Sequence, residues 1–596
     1  MTCRATTHGL VAGVMTAIEE PKVTEADVAR LLEWFVKHGG FIDPSVRFGQ
    51  DSAGGISAFA TEDIPEPPRG GIKLCACPPK LQLSYRQAPQ VLCGLLPEHV
   101  LANIALIHEV CCGEDSLWAP YIKCLPKADQ LTTPIYFKEE RTQVAAREKR
   151  NDTAWLLGTN LDKAWRARET QWKEEFQQSR RAMEMSGIPL AGYSWDLFKW
   201  AATIFTSRCF PSDPGFSKAN RQYRVLLPVV DLLNHKFPTR VNWFFDKGSF
   251  QLSSEEPLVQ GQEIFNNYGG KGNEELLNGY GFCIPNNPCD TVAFRFAQLP
   301  PPVVKKMTKA FGKCEPVLHV RGRNFYGGLY PVTMKDYPEV KESGIPQELW
   351  AVMEAFKKFE CNRGSERAVW RDTLSARCDL LELLSTRYDN IDQWVDFLQP
   401  EPLNDKQRYA KMYRDSQMTI LRENIEQLEE LLLGEDFFTL EEALEALRVD
   451  SNEAAQKWEH LAKTAFGTKT PRKIRDKNLE KEAWMLWLCV AWLCANDYAL
   501  DGELDPERPS RIRGWINDLL DSQPFNSDSD CSDDSGEQPE PHHMFQQLGV
   551  EAWADDRVGW VLFEWATRTA RAEVRVLDLL NDHEKAGKMV VCMEEM

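Results

Sequence analysis

The side chains that could do chemistry fall between Leu226 and Ile284. Asp231-Leu-Leu-Asn234-His235 comes first, then Asn267-Tyr268-Gly-Gly-Lys-Gly-Asn273, and last Tyr280-Gly-Phe282. Val225 to Leu233 is a mostly apolar run that ends abruptly in Asn-His, which places two polar side chains at the rim of a core. Tyr268 is set among Gly269, Gly270 and Gly272, where glycine permits positive φ and close approach of backbone to a ligand. Singly, an Asn-His at a strand end also fits a satisfied turn, and a tyrosine near glycines a packed ring. Their joint occurrence shifts the balance between these readings.

Several elements must position these groups. The aromatic, alternating run Val241 to Phe245, the Lys247-Gly248 turn and the strand Ser249 to Leu252 read as a β-hairpin. Gly261 and a strand from Glu263 to Phe265 then lead to Tyr268. From Asn273 to Asn278 the residues are good helix formers, and Asn273, Leu276, Leu277 and Tyr280 have helical spacing. Upstream, Trp195 to Phe205 is an amphipathic helix ending in Ser207-Arg208, a place where the helix dipole favours a cation. At the other end of the chain, Thr24 with Asp27 has the spacing of a capping box. The helix through Leu31, Leu32, Phe35 and Val36 stops at Gly39-Gly40, and Phe41 to Phe48 is extended.

Asn-His, then Tyr-Gly-x-x-x-Asn, then Tyr-Gly-Phe resembles the C-terminal half of the SET-domain methyltransferases, in which the chain threads through itself in a pseudoknot. The nearer resemblance is to the Rubisco lysine methyltransferase-like branch, which modifies non-histone proteins. Gly54-Gly55-Ile-Ser57 occupies the place of the family's Gly-x-Gly loop, with Ser57 at the second glycine. Leu74-Cys-Ala76-Cys-Pro78 lacks the glutamate that relatives often carry there. Trp118-Ala-Pro-Tyr-Ile-Lys-Cys-Leu-Pro126 and Thr133-Pro-Ile-Tyr-Phe137 match phrases of the insertion that splits the domain in this branch. The resemblance implies an α+β fold: a SET β-fold with pseudoknot, split by a helical insertion and followed by an all-α C-terminal domain. The expected divisions are an N-terminal SET portion over 1–89, the insertion over 90–190, and a C-terminal SET portion over 191–290. A helical substrate-binding-like domain over 291–435 follows. The last is a helical extension over 436–596, with a disordered acidic loop at about 526–540.

The resemblance also implies an activity: S-adenosylmethionine-dependent methylation of a lysine in a non-histone protein, ribosomal proteins serving some relatives. Lysine must first lose its proton. A narrow apolar channel lowers its pKa by desolvation, and a tyrosine oxygen at the channel mouth orients the amine. Tyr268 takes that role with Tyr280 lining the channel, so both are the expected catalytic residues. The expected cofactor contacts are Gly55, Ser57, Arg208, Asp231, Asn234, His235 and Tyr268, with Arg208 reaching the donor's carboxylate by charge pairing. Phe210, Val230 and Tyr280 are expected at the substrate. Relatives that modify histidine carry Asn and Trp where this chain has Phe210 and Val230, which favours lysine. Histidine methylation and a SET scaffold without chemistry are the alternatives.

Composition narrows the setting. Hydrophobic residues make up 43% and charged residues 27% of the chain, a globular balance, and the net charge of −19 repels nucleic acid and favours basic, lysine-rich protein partners. The 17 cysteines contain no C-x-x-C pair, which fits reduced thiols in a cytoplasmic or nuclear protein, with no metal. The longest apolar run, Ala483 to Ala495, falls short of the roughly 20 residues that span a bilayer. It reads as a buried helix through Trp484, Trp487, Leu488 and Trp492. A soluble monomer is expected, with no membrane partner.

Overall fold

The computed structural model describes residues 23–51, 55–138, 151–213, 222–296, 299–311, 329–333, 344–360, 369–433, 437–495 and 511–522, with short pieces between 562 and 592. The acidic segment 526–540 lies outside the described residues.

The opening helix, Glu25–Lys37, is fixed by the expected capping box: Thr24 Oγ1 accepts from the Asp27 N–H (3.2 Å), and Asp27 Oδ2 accepts from the Thr24 N–H (3.0 Å). Its Leu31, Trp34 and Phe35 face the core. The chain then forms β1 (Phe41–Ile42), β2 (Val46–Gln50), β3 (Ile56–Ala60), β4 (Ile72–Cys77) and β5 (Leu83–Ser84). After the intervening helices come β6 (Cys209–Pro211), β7 (Arg224–Leu226), β8 (Val241–Asp246), β9 (Ser249–Ser254) and β10 (Glu263–Ile264). They build three small antiparallel sheets in the orders β1-β4-β9-β8, β10-β3-β2 and β5-β7-β6. Each sheet joins strands from both sides of the 90–190 segment. The hairpin β8–β9 turns on Lys247 (φ 47°) and Gly248 (φ 81°), the two left-handed residues that match the twist of a two-residue hairpin.

The segment 90–190 carries the helices Glu98–Cys112, Ala119–Cys124 and Asn160–Met185. It does not form a separate body, because Leu101, Trp118, Tyr121 and Trp172 belong to the same core cluster as Leu31, Leu74 and Ile264.

A second core follows, built from β11 (Val292–Arg295), β12 (Leu329–Val332) and the helices Gln347–Glu360, Val369–Asp392 and Asp405–Leu433. It is seated on the 90–190 segment: Gln407 Nε2 and Asn404 Nδ2 donate to Asp152 Oδ1 at 2.9 and 3.0 Å. Gly158 (φ +78°) lies so close that a Cβ there would stand 1.8 Å from the carbonyl oxygen of Asn390.

A third core runs from Leu440 to Ala570 around the Glu480–Ala495 helix, whose Trp484, Trp487 and Leu488 are fully buried. No helix among the described residues is long and apolar enough to cross a membrane. The C-terminal region is helical, with two additions that the sequence reading lacks. One is the β11–β12 pair; the other is a three-stranded sheet of β13 (Phe437–Thr439), β14 (Arg575–Leu577) and β15 (Lys588–Cys592), in the order β13-β15-β14. Strands this short and this far apart in sequence leave no periodic signal to read.

Candidate active site

The site is built on the turn that follows β7. Val229, fully buried, takes φ 73° and ψ −44°, a conformation a β-branched residue adopts only under strain of about 1–3 kcal/mol. The surrounding core holds it there, and the next residues, Val230–Leu232, wind into one 3₁₀ turn. This aims Asp231 inward and brings Asn234 and His235 alongside the second motif. His235 and Asn266 form a parallel bridge, with the Asn266 N–H donating to Asn234 O (2.8 Å) and the Lys236 N–H to Asn266 O (3.0 Å).

Arg208 ends the Trp195–Arg208 helix, which Ser194 caps at its start. Its Nη1 donates to the Asp231 carbonyl at 2.9 Å and lies 3.5 Å from the Asp231 carboxylate. Tyr121 donates its hydroxyl to the same carboxylate oxygen at 2.7 Å. The Asp231 side chain is 1% exposed, so burial pushes its carboxyl above the usual range while Arg208 and Tyr121 oppose that shift. Its other oxygen, Oδ1, is buried with no partner. Asp231 therefore stands behind Arg208 as its anchor.

Asn234 faces a different partner set. Its Nδ2 donates to Asp51 Oδ2 (2.9 Å) and Glu263 Oε1 (2.8 Å). The Asp51 carboxylate also accepts the Gly55 N–H (2.8 Å). Ser57 is fully buried and gives its hydroxyl to Glu263, so its side chain is committed within the protein. Asp51, Glu263 and Tyr121 are the polar residues that the sequence reading missed. The signal for Asp51 was its place before the glycines, and for Tyr121 its place within the Trp118–Pro126 phrase.

Three rings close the site. His235 stacks on Tyr268 (centroids 4.9 Å, 15°), and Tyr268 stacks on Tyr280 (5.2 Å, 23°). His235 Nδ1 accepts the Tyr268 N–H at 3.0 Å, which makes the ring the neutral Nε2–H tautomer. Its Nε2 is buried without a partner, as is Nδ2 of Asn266. Burial lowers the imidazole pKa from 6.5 to about 4. An unfolded chain protonates this ring first, so the stability it contributes is present above pH 6.5 and declines as pH falls toward 4. The Tm of the wild-type protein should accordingly fall more steeply over that window than the Tm of His235→Gln. Parallel Tm profiles for the two would show that the ring is not held neutral.

The two tyrosines differ. Tyr268 donates its hydroxyl to Leu233 O (2.8 Å), and burial pushes its pKa up to about 12. Its oxygen can meet an amine only as an acceptor. Tyr280 ends the helix Asn273–Tyr280, and among the described residues its hydroxyl has no hydrogen-bond partner. Burial drives its phenol pKa well up, which keeps it protonated. Phe210 and Val230, expected at the substrate, are buried, 6% and 0% exposed. Phe210 packs on Trp243 and Phe250 at 5.1 and 5.2 Å. The structure thus brings together Arg208, Asp231, Asn234, His235, Tyr268 and Tyr280, with Gly55 at the loop and Phe210 and Val230 in the packing behind. Among the described residues no three His, Cys, Asp or Glu side chains are placed to hold a metal.

No protein-family model matches the chain. The ribosomal lysine N-methyltransferase set10 of Schizosaccharomyces pombe is 32% identical over 421 residues, spanning 66% of this chain and 71% of that protein. The chain belongs to the SET-domain lysine methyltransferases. Ribosomal lysine N-methyltransferase 1 of Saccharomyces cerevisiae is 44% identical over 116 residues, 20% of each chain, and the protein-lysine N-methyltransferase EFM1 of that yeast is 26% identical over 306 residues, 45% of this chain and 52% of EFM1. The SET domain of LSMT bound to lysine and AdoHcy superposes with a TM-score of 0.51 at 18% identity, covering 69% of this chain and 92% of that one.

Proposed function

We propose that this SET enzyme transfers a methyl group from S-adenosylmethionine to the ε-amino group of a lysine in a non-histone protein, and that the protein is ribosomal. The observation that carries the chemistry is the His235–Tyr268–Tyr280 stack, in which the Tyr268 hydroxyl donates to Leu233 O next to the Asn-His turn and the Tyr280 hydroxyl has no partner among the described residues. The ribosomal substrate rests on the likeness to set10.

The donor fits these residues. Its polar ends would meet unsatisfied buried groups at Nε2 of His235 and Nδ2 of Asn266, and Arg208 supplies a cation held in place by Asp231. S-adenosylmethionine, when bound, supplies a methyl carbon on a positively charged sulfonium. The protein's own work is to align an uncharged amine and exclude water. Tyr268, its proton held by Leu233, offers a lone pair to an amine N–H. Tyr280 offers the second oxygen. The neutral, buried His235 fixes the Tyr268 backbone and acts as no base. Acidic composition favours a lysine-rich target, and the cysteine pattern favours a reducing compartment, cytoplasm or nucleus. We take the enzyme to act as a monomer without nucleic acid or membrane.

The test is incubation of the purified protein and labelled S-adenosylmethionine with lysate from a deletion strain, followed by mass spectrometry of the labelled protein. Label should disappear when the modified lysine is changed to arginine. Label retained there but lost on replacing a neighbouring histidine would move the assignment to histidine. Calorimetry without donor binding would leave a scaffold. In the same titration Asn234→Ala should weaken donor binding by about 1–3 kcal/mol, because it leaves the Asp51 and Glu263 carboxylates without the amide that bridges them. Unchanged affinity would make the Asn-His turn purely structural.

A further inference from the structure

We propose that Tyr413 and Ser416, in the helical region after the SET domain, are positioning residues for Tyr280. The inference rests on the methyltransferase reading for its catalytic arm only.

Tyr280 ends a short helix, Asn273–Tyr280, that is tied at both ends. At its far end Arg168 donates to the Asn278 carbonyl and Thr132 to the Gly281 carbonyl, both from the 90–190 segment. Its first turn is tied by the helix Asp405–Leu433. Tyr413 donates its hydroxyl to Glu274 Oε2 at 3.0 Å, and Ser416 donates to Asp290 Oδ2. Asp290 is only 2% exposed, and it accepts from the Asn273 N–H at 2.9 Å and from Asn273 Nδ2 at 3.0 Å. Asn273, fully buried, in turn accepts the Ile284 N–H at 2.9 Å, beyond the Tyr-Gly-Phe stretch.

Apolar packing alone would dock the two regions, since Leu277, Cys283 and Tyr413 already share a cluster with Trp155 and Leu156. The added carboxylates demand partners when buried. Glu274 receives one from Tyr413, and Asp290 receives the Ser416 hydroxyl in addition to the N–H and Nδ2 of Asn273. Glu274, in the first turn of the eight-residue helix, and Asp290, which holds Asn273 at its start, are therefore both tied to the Asp405–Leu433 helix, and the rotation of the Asn273–Tyr280 helix sets where the Tyr280 hydroxyl points. Tyr413 and Ser416 touch no reacting atom. They act through Glu274, Asp290 and Asn273.

The experiment compares Tyr413→Phe and Ser416→Ala with Gln407→Ala in the full chain. Gln407 lies on the same helix, is 1% exposed, and bonds Asp152 instead of the Tyr280 helix. Amide hydrogen exchange over 273–281, calorimetric S-adenosylmethionine binding, and kcat and KM on the labelled protein target are measured for each. The expected result is faster exchange over 273–281 in Tyr413→Phe and Ser416→Ala, with kcat lowered about tenfold and with KM and donor affinity within about twofold of wild type. Gln407→Ala should leave exchange there and kcat unchanged. Unchanged exchange in the first two variants, or an equal kcat loss in Gln407→Ala, overturns the proposal. If the wild-type protein methylates nothing, the methyltransferase reading fails, and the exchange comparison decides the brace by itself.

Discussion

Tyr280→Phe is expected to lower turnover by about 10² or more while leaving S-adenosylmethionine affinity within a few-fold of wild type. The variant keeps the ring, so its stacking on Tyr268 and the Lys271 ammonium 5.7 Å from its centroid persist. It removes a hydroxyl that no described group uses within the protein, so the loss should fall on the reacting amine and not on the fold. Tyr268→Phe should also slow turnover, but with an accompanying drop in Tm, because Leu233 O loses the donor it has at 2.8 Å. Single-turnover rates, calorimetry and Tm for both variants separate the two roles. Full activity in Tyr280→Phe would remove that hydroxyl from the chemistry.

Arg208→Ala should have the largest effect on stability and on donor binding together. It leaves the Asp231 carboxylate, 1% exposed, with Tyr121 as its one side-chain partner among the described residues, and stranding one member of a buried ion pair costs about 3–5 kcal/mol. The carbonyl of Asp231 loses its 2.9 Å donor as well. Adding Asp231→Asn to Arg208→Ala should recover part of the stability, since an amide is cheaper to bury than an unpaired carboxylate. It should not recover donor affinity. Denaturant unfolding and calorimetry on the single and double variants test this. Donor affinity regained in the double variant would show that Arg208 serves only to neutralise Asp231.

What was legible in the sequence was local. The capping box at Thr24, the hairpin turning on Lys247-Gly248 and the helix ending at Arg208 are set by neighbours within a few residues, and each stands where its pattern places it. The meeting of Asn234, His235, Tyr268 and Tyr280 was legible only through resemblance, because parallel pairing of His235 with Asn266 has no local code. Partners far along the chain were not legible at all. Ser57 finds Glu263 at a separation of 206 residues, and Asn234 finds Asp51 at 183. The packing of Phe210 was not legible by motif comparison either. An aligned position reports residue type, and burial against Trp243 and Phe250 is a tertiary property.

Gly158 carries a constraint on how this sequence can drift. Its φ of +78° alone would admit asparagine or aspartate, which tolerate left-handed backbone in ordinary turns. The Asn390 carbonyl oxygen, 1.8 Å from where any Cβ would lie, removes that latitude, because backbone cannot rotate aside as a side chain does. Every substitution reachable from glycine would therefore wedge the 90–190 segment away from the helices beyond 369. A viable change at 158 would need a matching shift near residue 390, so that the turn at 158 and the end of the Val369–Asp392 helix are free to diverge only in step.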